Sequence, residues 1–402
     1  MGAHGGAGRG RVPGRCGVSA RVGVNLLWLV PGVVGGSETS TTTFLEALAS
    51  ATPDDLDHVL YVLQPLVDAY PEVVAAVEHR VLPLSGRVKG ARVLAEQTWL
   101  ELQARRDGVA LVHHMGGTMP LVGGPPALLS IHDLQPFDHP ERFHPAKRAW
   151  LSLAVPRAVR RARLVVTPSE WVRGTVIDRF GVSPERVVSV PHGMPPMDEG
   201  TPEDALRERY GLAGPLVVYP AITYPHKDHV TLVRAFAAVA ARHPDAELVL
   251  PGGEAGAEED VRAAIAASGS AARIRRLGRV PRADVVGLID AAAVVAVPSR
   301  YEGFGIPALE AMARGRALVA ADATALPEVV GDGGVLAAPG DVGAWAAALD
   351  RLLSDPAERD ALGRRGRAVA ASFSPERNLA STLAVQRRAL GLAPAGGATG
   401  PE

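Results

Sequence analysis

Residues 291–328 hold the feature that most narrows what this chain can fold into. An apolar run over 291–297 gives way to a glycine-containing loop, and the loop turns into a helix at Pro307. Proline suits the first helical position, because the N–H it lacks would have had no intrahelical partner. Ala308, Leu309 and Glu310 then present backbone N–H groups at the positive end of a helix dipole, a seat for a phosphate. Gly303 and Gly305 let the backbone approach a ligand closely. Glu302 and Glu310 bracket this loop with seven residues between them. A carboxylate accepts from paired hydroxyls, so two acids flanking an anion seat suit a molecule with hydroxyls on both sides of its phosphates. A nucleotide sugar is such a molecule. The plainer reading has Glu302 capping a turn and Glu310 complementing the helix dipole, and spacing alone does not choose between the two.

The same strand–loop–helix unit recurs along the chain. Short apolar runs at 22–30, 59–63, 109–113, 127–132, 164–167 and 187–191 alternate with helical stretches at 43–49, 91–105 and 146–163. Alternation of this kind predicts a parallel sheet wound on both faces. A Pro- and acid-rich linker, HGMPPMDEGTPED, follows, and the alternation restarts with strands expected at 216–220, 247–250, 274–277, 292–297 and 317–321. Two doubly wound domains in tandem accord with 402 residues, more than one ordinary core holds. They place a ligand crevice where the C-terminal ends of their strands face each other. We assign residues 21–195 to an N-terminal Rossmann-like domain and 196–373 to a C-terminal one. Ser374-Pro375-Glu376 is an N-cap signature for a last helix over 374–390. The Gly- and Arg-rich opening, residues 1–20, and the tail 391–402 read as disordered.

Charge and cysteine content remove several classes. Forty-two basic against 43 acidic residues give no global field for nucleic acid. The single cysteine, Cys16, excludes an internal disulfide framework and a cysteine-based metal cluster. No apolar run approaches the roughly 20 residues that span a bilayer, and the opening lacks the apolar core of a signal peptide, so a cytoplasmic protein is expected. No Gly-x-Gly-x-x-Gly follows either domain's first strand, which disfavours a dinucleotide-dependent oxidoreductase. The stretch 146–163 carries Lys147, Arg148, Arg157, Arg160, Arg161 and Arg163 around Trp150, Leu151 and Leu153. That pattern serves either as a solvated face or as a peripheral contact with anionic lipid.

Three further loops carry candidate chemistry. Gly35 and Gly36, in GGSE after the first strand, can bring backbone N–H groups to a diphosphate or to an acceptor. His132 and Asp133 follow the run 127–131; the imidazole can hold a sugar hydroxyl, while Asp133 suits the capping of its own loop. Pro225-His226-Lys227-Asp228 precedes a helix over 230–242, so Lys227 stands where a phosphate would meet a helix N-terminus, with Asp228 as the expected cap.

The run PSRYEGFGIPALEAMA resembles the donor-site signature of the retaining glycosyltransferases of family 4, which have the two-domain GT-B fold. The resemblance extends over nearly all of residues 21–390 and is strongest in the second half. It implies that Glu302 lies by the transferred sugar, that the backbone of Gly303, Phe304, Gly305 and Ile306 meets sugar and phosphate, and that Glu310 binds the ribose. It gives His132 a place near the donor sugar, Lys227 a place on the phosphates, and the Gly35–Gly36 loop one over the reacting centre. Thr167-Pro168-Ser169-Glu170 and Pro191-His192-Gly193 match landmarks read as scaffold at the crevice. It implies that helix 374–390 crosses back onto the first domain. One departure stands out: many members carry an arginine six residues before the lysine, and this chain has Ala221 there. Arg300 and His226 are the candidate replacements.

The sequence thus predicts a GT-B enzyme with His132, Lys227 and Glu302 as catalytic residues. It would move a sugar, with a lean to mannose from the His-Lys pair, from a nucleoside diphosphate to an acceptor that is a glycan, a lipid-linked molecule or a small molecule. No cofactor beyond that co-substrate and no essential divalent cation are expected. An epimerase or hydrolase of the same fold, and a catalytically silent nucleotide-sugar-binding subunit favoured by Ala221, are the alternatives.

Overall fold

The computed structural model describes residues 19–33, 35–51 and 53–393; the readings for residues 1–18, Cys16 included, and for 394–402 lie outside the described residues. The chain forms two parallel sheets. Strands β1 (Ala20–Asn25), β2 (Leu56–Leu63), β3 (Glu78–Leu82), β4 (Leu111–His114), β5 (Ala127–Ser130), β6 (Leu164–Thr167) and β7 (Val187–Ser189) make the first, in the order β3-β2-β1-β4-β5-β6-β7. Strands β8 (Leu216–Val218), β9 (Glu247–Pro251), β10 (Ile274–Gly278), β11 (Ala292–Val297), β12 (Ala317–Ala321) and β13 (Val335–Ala337) make the second, ordered β10-β9-β8-β11-β12-β13. In both sheets the order reverses beside the first strand of the half, the switch point where open α/β sheets bind ligands.

Composition explains which strands sequence reading finds. The central β11 reads Ala-Ala-Val-Val-Ala-Val, and Val294 to Val297 are fully shielded because helices cover both faces. The strands it misses, β3 and β13, are edge strands: β3 is a half-exposed mixed sequence, Glu-His-Arg-Val-Leu, and β13 is only three residues long, Val-Leu-Ala. Helix 91–105 is two helices, Lys89–Gln97 and Trp99–Arg106, divided at Thr98. In the helix Pro145–Arg161, Ala154, Val155, Ala158 and Val159 face the core. Arg161 donates to the carbonyls of Pro120 and Gly123, and Arg163, just past the helix, to that of Ala389, so part of the positive charge of the stretch 146–163 is structural. Among the described residues no helix is long and apolar enough to cross a membrane.

The last helix, Pro375–Leu390, starts at Ser374, whose hydroxyl accepts from the Arg377 N–H, and lies on the first sheet. Leu379, Leu383 and Val385 join the core there, and Arg387 donates to both oxygens of Asp55 at 2.7 and 2.8 Å. The chain therefore passes between the halves at two places, and these touch. Met194 N–H donates to the Phe373 carbonyl, and the Asn378 amide to the carbonyl of Pro191, each at 2.6 Å. A Cβ on Gly193 would come within 2.8 Å of the Pro375 Cα, so only glycine fits this crossing.

Beneath the last helix Gln386 is fully buried, hydrogen-bonded through Oε1 to His58 Nε2 at 2.9 Å and through Nε2 to His113 Nδ1 at 3.4 Å. Burial holds His58 below the ordinary histidine value and pushes His113 down to about 3. The folded protein keeps these rings neutral, whereas the unfolded chain takes up protons near pH 6.5. Their contribution to stability is complete above about pH 6.5 and is lost as pH falls from there toward the folded values. Tm should drop steadily between pH 7 and pH 5 in calorimetry, and a Tm that is flat across that window would contradict this reading.

Candidate functional site

The loops after β8 and β11, adjacent strands, bring Lys227 and Glu302 together. Lys227 ends the 3-10 turn Pro225–Lys227, and its ammonium lies 2.5 Å from the Glu302 carboxylate, both side chains largely shielded from water. Glu302 is thus the partner of a cation rather than the cap of a turn. The buried Tyr219 hydroxyl fixes the same corner, bonding the Lys227 carbonyl at 3.0 Å and the Ser299 hydroxyl at 2.9 Å. Thr324 accepts the Glu302 N–H at 3.0 Å from a backbone held at φ 53°.

The anion seat differs in detail from the sequence reading. The helix begins at Ile306, one residue before Pro307, and the N–H groups of Ala308 and Leu309 both turn back to the Gly305 carbonyl. The free groups lie one turn earlier. Among the described residues, the N–H groups of Gly303, Phe304, Gly305 and Ile306 have no acceptor in the protein. Gly305 at φ 108° makes that run possible, a conformation side-chain-bearing residues rarely adopt. Consecutive unpaired N–H groups at a helix start form a concave site for phosphate oxygens. Glu310, inside the same helix, is held by an ion pair with Arg282.

Two expectations around Lys227 are corrected. Asp228 sits at the cap position of the helix His229–Val239 but makes no cap bond, because its backbone is left-handed, at φ 50°. Its carboxylate instead accepts from Thr231 Oγ1 and from Arg300 Nε, at 2.8 and 2.7 Å. Arg300 is therefore committed to Asp228 and is no free replacement for the cation missing at Ala221. Neither is His226, because burial pushes its ring down to about 3 and leaves it neutral.

The first half delivers His132 to the same place. His132 and Asp133 lie against Gly303: a Cβ at 303 would stand 2.1 Å from the His132 carbonyl and 3.2 Å from Asp133 Cβ. His132 Nε2 lies 2.8 Å from the Met115 carbonyl, which only accepts, so we assign the proton to Nε2 and a lone pair to Nδ1. Burial lowers the ring's proton affinity, so it is a neutral hydrogen-bond acceptor at pH 7. Trp28 and His192 flank the ring at centroid distances of 5.7 and 5.5 Å, and His192 meets Phe304 at 5.2 Å, so aromatic rings run from one half to the other. Asp133 closes its own loop by accepting from the Gln135 N–H. Gly35 and Gly36 stand apart. Gly35 caps the helix Gly36–Ser50, and among the described residues no heavy atom beyond the neighbouring chain lies within 4 Å of where either Cβ would be.

Sequence reading undervalued the residues that join the halves. Ser169 donates to the Gly303 carbonyl at 2.8 Å, and Tyr301 donates to Asp138 at 2.8 Å while accepting from Leu134 N–H. Glu328 accepts the N–H groups of Glu170 and Trp171, at 2.9 and 3.2 Å, at the free start of the helix Glu170–Phe180. The only signal for these was their place beside the motifs.

Two facing Rossmann-like sheets with a lysine, an acid and an anion seat at the crevice define a GT-B transferase of glycosyl groups. The comparisons agree. Residues 34–197 match the family described as Glycosyltransferase Family 4 and residues 204–369 that of Glycosyl transferases group 1, and the chain belongs to this family. It is 32% identical to O-antigen chain mannosyltransferase B of Escherichia coli over 64% of this chain and 69% of that one. It is 32% identical to the MMP alpha-(1->4)-mannosyltransferase of Mycolicibacterium hassiacum over 61% and 59%, and 35% to the D-inositol 3-phosphate glycosyltransferase of Mycobacterium tuberculosis over 57% and 49%. The matches thus span about half to just over two thirds of these relatives' lengths. Sucrose-phosphate synthase of Thermosynechococcus elongatus shares the fold, with TM-score 0.73 at 20% identity over 92% of this chain and 99% of that one. So does Anabaena HepE solved with UDP and glucose, with TM-score 0.70 at 22% over 91% and 100%.

Gly303→Ala tests the contact between the halves. Its added Cβ has no room against the His132 carbonyl, so the two loops must separate by about an ångström, a displacement that can cost roughly 10²-fold in rate. Turnover should fall on that scale with Tm nearly unchanged, and full turnover would contradict the contact's role.

Proposed function

We propose that the protein moves a mannosyl group from a nucleoside diphosphate to an acceptor hydroxyl, with retention at the anomeric carbon. One observation carries the reading: the Lys227–Glu302 pair stands beside unpaired N–H groups at Gly303–Ile306, with Glu310 one helical turn further on. The similarity to two mannosyltransferases supports the sugar, and the UDP and glucose held by HepE support a nucleotide-sugar donor.

In this mechanism the diphosphate occupies the anion seat and takes Lys227 as its counter-ion, while Glu310 accepts from the ribose hydroxyls. Glu302, no longer neutralised by Lys227, accepts from hydroxyls of the transferred sugar. His132 accepts from another through Nδ1. As the bond from the anomeric carbon to the phosphate oxygen lengthens, negative charge grows on the leaving group, where fixed donors and the ammonium act most strongly. The acceptor oxygen bonds to the anomeric carbon on the face the diphosphate leaves, and its proton passes to a diphosphate oxygen. No protein carboxylate need form a covalent bond.

We further propose that no divalent cation is required. Lys227 and the N–H groups supply the positive field, and among the described residues no group of three or more His, Cys, Asp or Glu is placed to hold a metal. Turnover should survive excess EDTA, and a strict need for Mn²⁺ or Mg²⁺ would overturn this part. Glu310→Ala should weaken nucleotide binding by about 1.5–3 kcal/mol, the range for hydrogen bonds to a charged group. Calorimetry decides, and unchanged affinity removes Glu310 from the ribose. Product analysis separates transfer from its rivals: a glycoside with the donor's anomeric configuration is expected, whereas a free or epimerised sugar, or unchanged donor, contradicts it.

A further inference from the structure

If Lys227 and Glu302 face the sugar and diphosphate, and Glu310 the ribose, the protein beyond Glu310 faces the base. This inference rests on the donor reading above. The ion pair from Glu310 leads to Arg282, the first residue of the helix Arg282–Ala291, and so to the loop that joins β10 to that helix. Arg279 stands in this loop. It is exposed, and among the described residues its guanidinium has no hydrogen bond or ion pair. It does not simply extend into solvent. It lies across the backbone of Gly253, in the loop after β9, where a Cβ would stand 2.9 Å from Nε and 3.5 Å from Cζ. Gly252 in turn packs against the Ala221 carbonyl, which a Cβ would approach to 2.0 Å. Two glycines thus make a floor between the loops after β8 and β10, with an unneutralised planar cation resting on it.

We propose that Arg279 reads the base of the donor and that the base is guanine. A guanidinium presents two parallel N–H donors in one plane. Guanine answers with O6 and N7, adjacent acceptors on one edge, whereas adenine places an amino donor beside N7. Uracil offers only O4 on the corresponding edge. With no acid paired to it among the described residues, Arg279 favours the edge with the most acceptors. Arg282 is different: it is engaged by Glu310 and positions the ribose-binding carboxylate.

The test is calorimetry of the full chain with GDP, UDP and ADP, on the parent, Arg279→Ala and Arg279→Lys. Arg279 has no protein partner to lose, so both variants should fold as the parent does. GDP is expected to bind the parent at least about tenfold more tightly than UDP or ADP, within the range one bidentate contact discriminates. Arg279→Ala should weaken GDP about tenfold and leave UDP unchanged, and Arg279→Lys, with charge but no fork, should not restore the preference. A parent that binds UDP or ADP as tightly as GDP overturns the assignment. Equal weakening of GDP and UDP in Arg279→Ala also overturns it, by placing the guanidinium on the phosphates they share. Failure of every nucleotide to bind sinks the donor reading itself, a result distinct from binding with the wrong preference.

Discussion

The ammonium of Lys227 and the carboxylate of Glu302 come from loops on adjacent strands and meet 2.5 Å apart in a place water hardly reaches. At about 4 Å between charge centres and an effective dielectric near 20, their attraction is about 4 kcal/mol. Withdrawing both groups from water offsets much of it, so the pair is a weak source of stability. Its importance is positional. Each charge keeps the other in the crevice, and in the proposed mechanism a ligand with its own charges and hydroxyls takes the place of both. The Tyr219 hydroxyl, tied to the Lys227 carbonyl and to Ser299, holds the two loops together.

Around that pair the two halves are joined by contacts that mostly use backbone. Gly303 accepts from Ser169 and abuts His132, Tyr301 reaches Asp138, and Glu328 satisfies the open start of the helix Glu170–Phe180. These interactions are short and directional, unlike the apolar contacts inside each half, so a small relative movement can break them. His132 consequently reaches the loop of Glu302 only when the halves are in this arrangement.

Much of the fold was legible because parallel strands buried on both faces read as unbroken apolar runs, as β11 and β12 do. The edge strands β3 and β13 were not: β3 opens on Glu, His and Arg, and β13 is only three residues long. At the site, Glu302, Lys227 and His132 were singled out by the family resemblance of their loops, and the structure brings Lys227 to Glu302 and the His132 loop to Gly303. Their partners were not: Arg282 is 28 residues from Glu310, Ser169 is 134 from Gly303, and no local pattern marks either pairing. The Asp228 cap failed for a local reason, a left-handed backbone that turns its carboxylate away from the N–H groups it was expected to cap. The seat at Gly303–Ile306 was shifted by one turn because Gly305 itself caps the helix.

The central claim is that Lys227 stabilises charge as it develops on the leaving diphosphate, more than it stabilises the bound donor. Only such differential stabilisation raises kcat. Steady-state kinetics and donor affinity measured together on Lys227→Ala test it most directly. The account predicts a kcat lower by roughly 10²–10³, the scale of losing one preorganised donor at a developing oxyanion, with a much smaller loss in donor affinity. A Lys227→Ala variant that retains full kcat would contradict it.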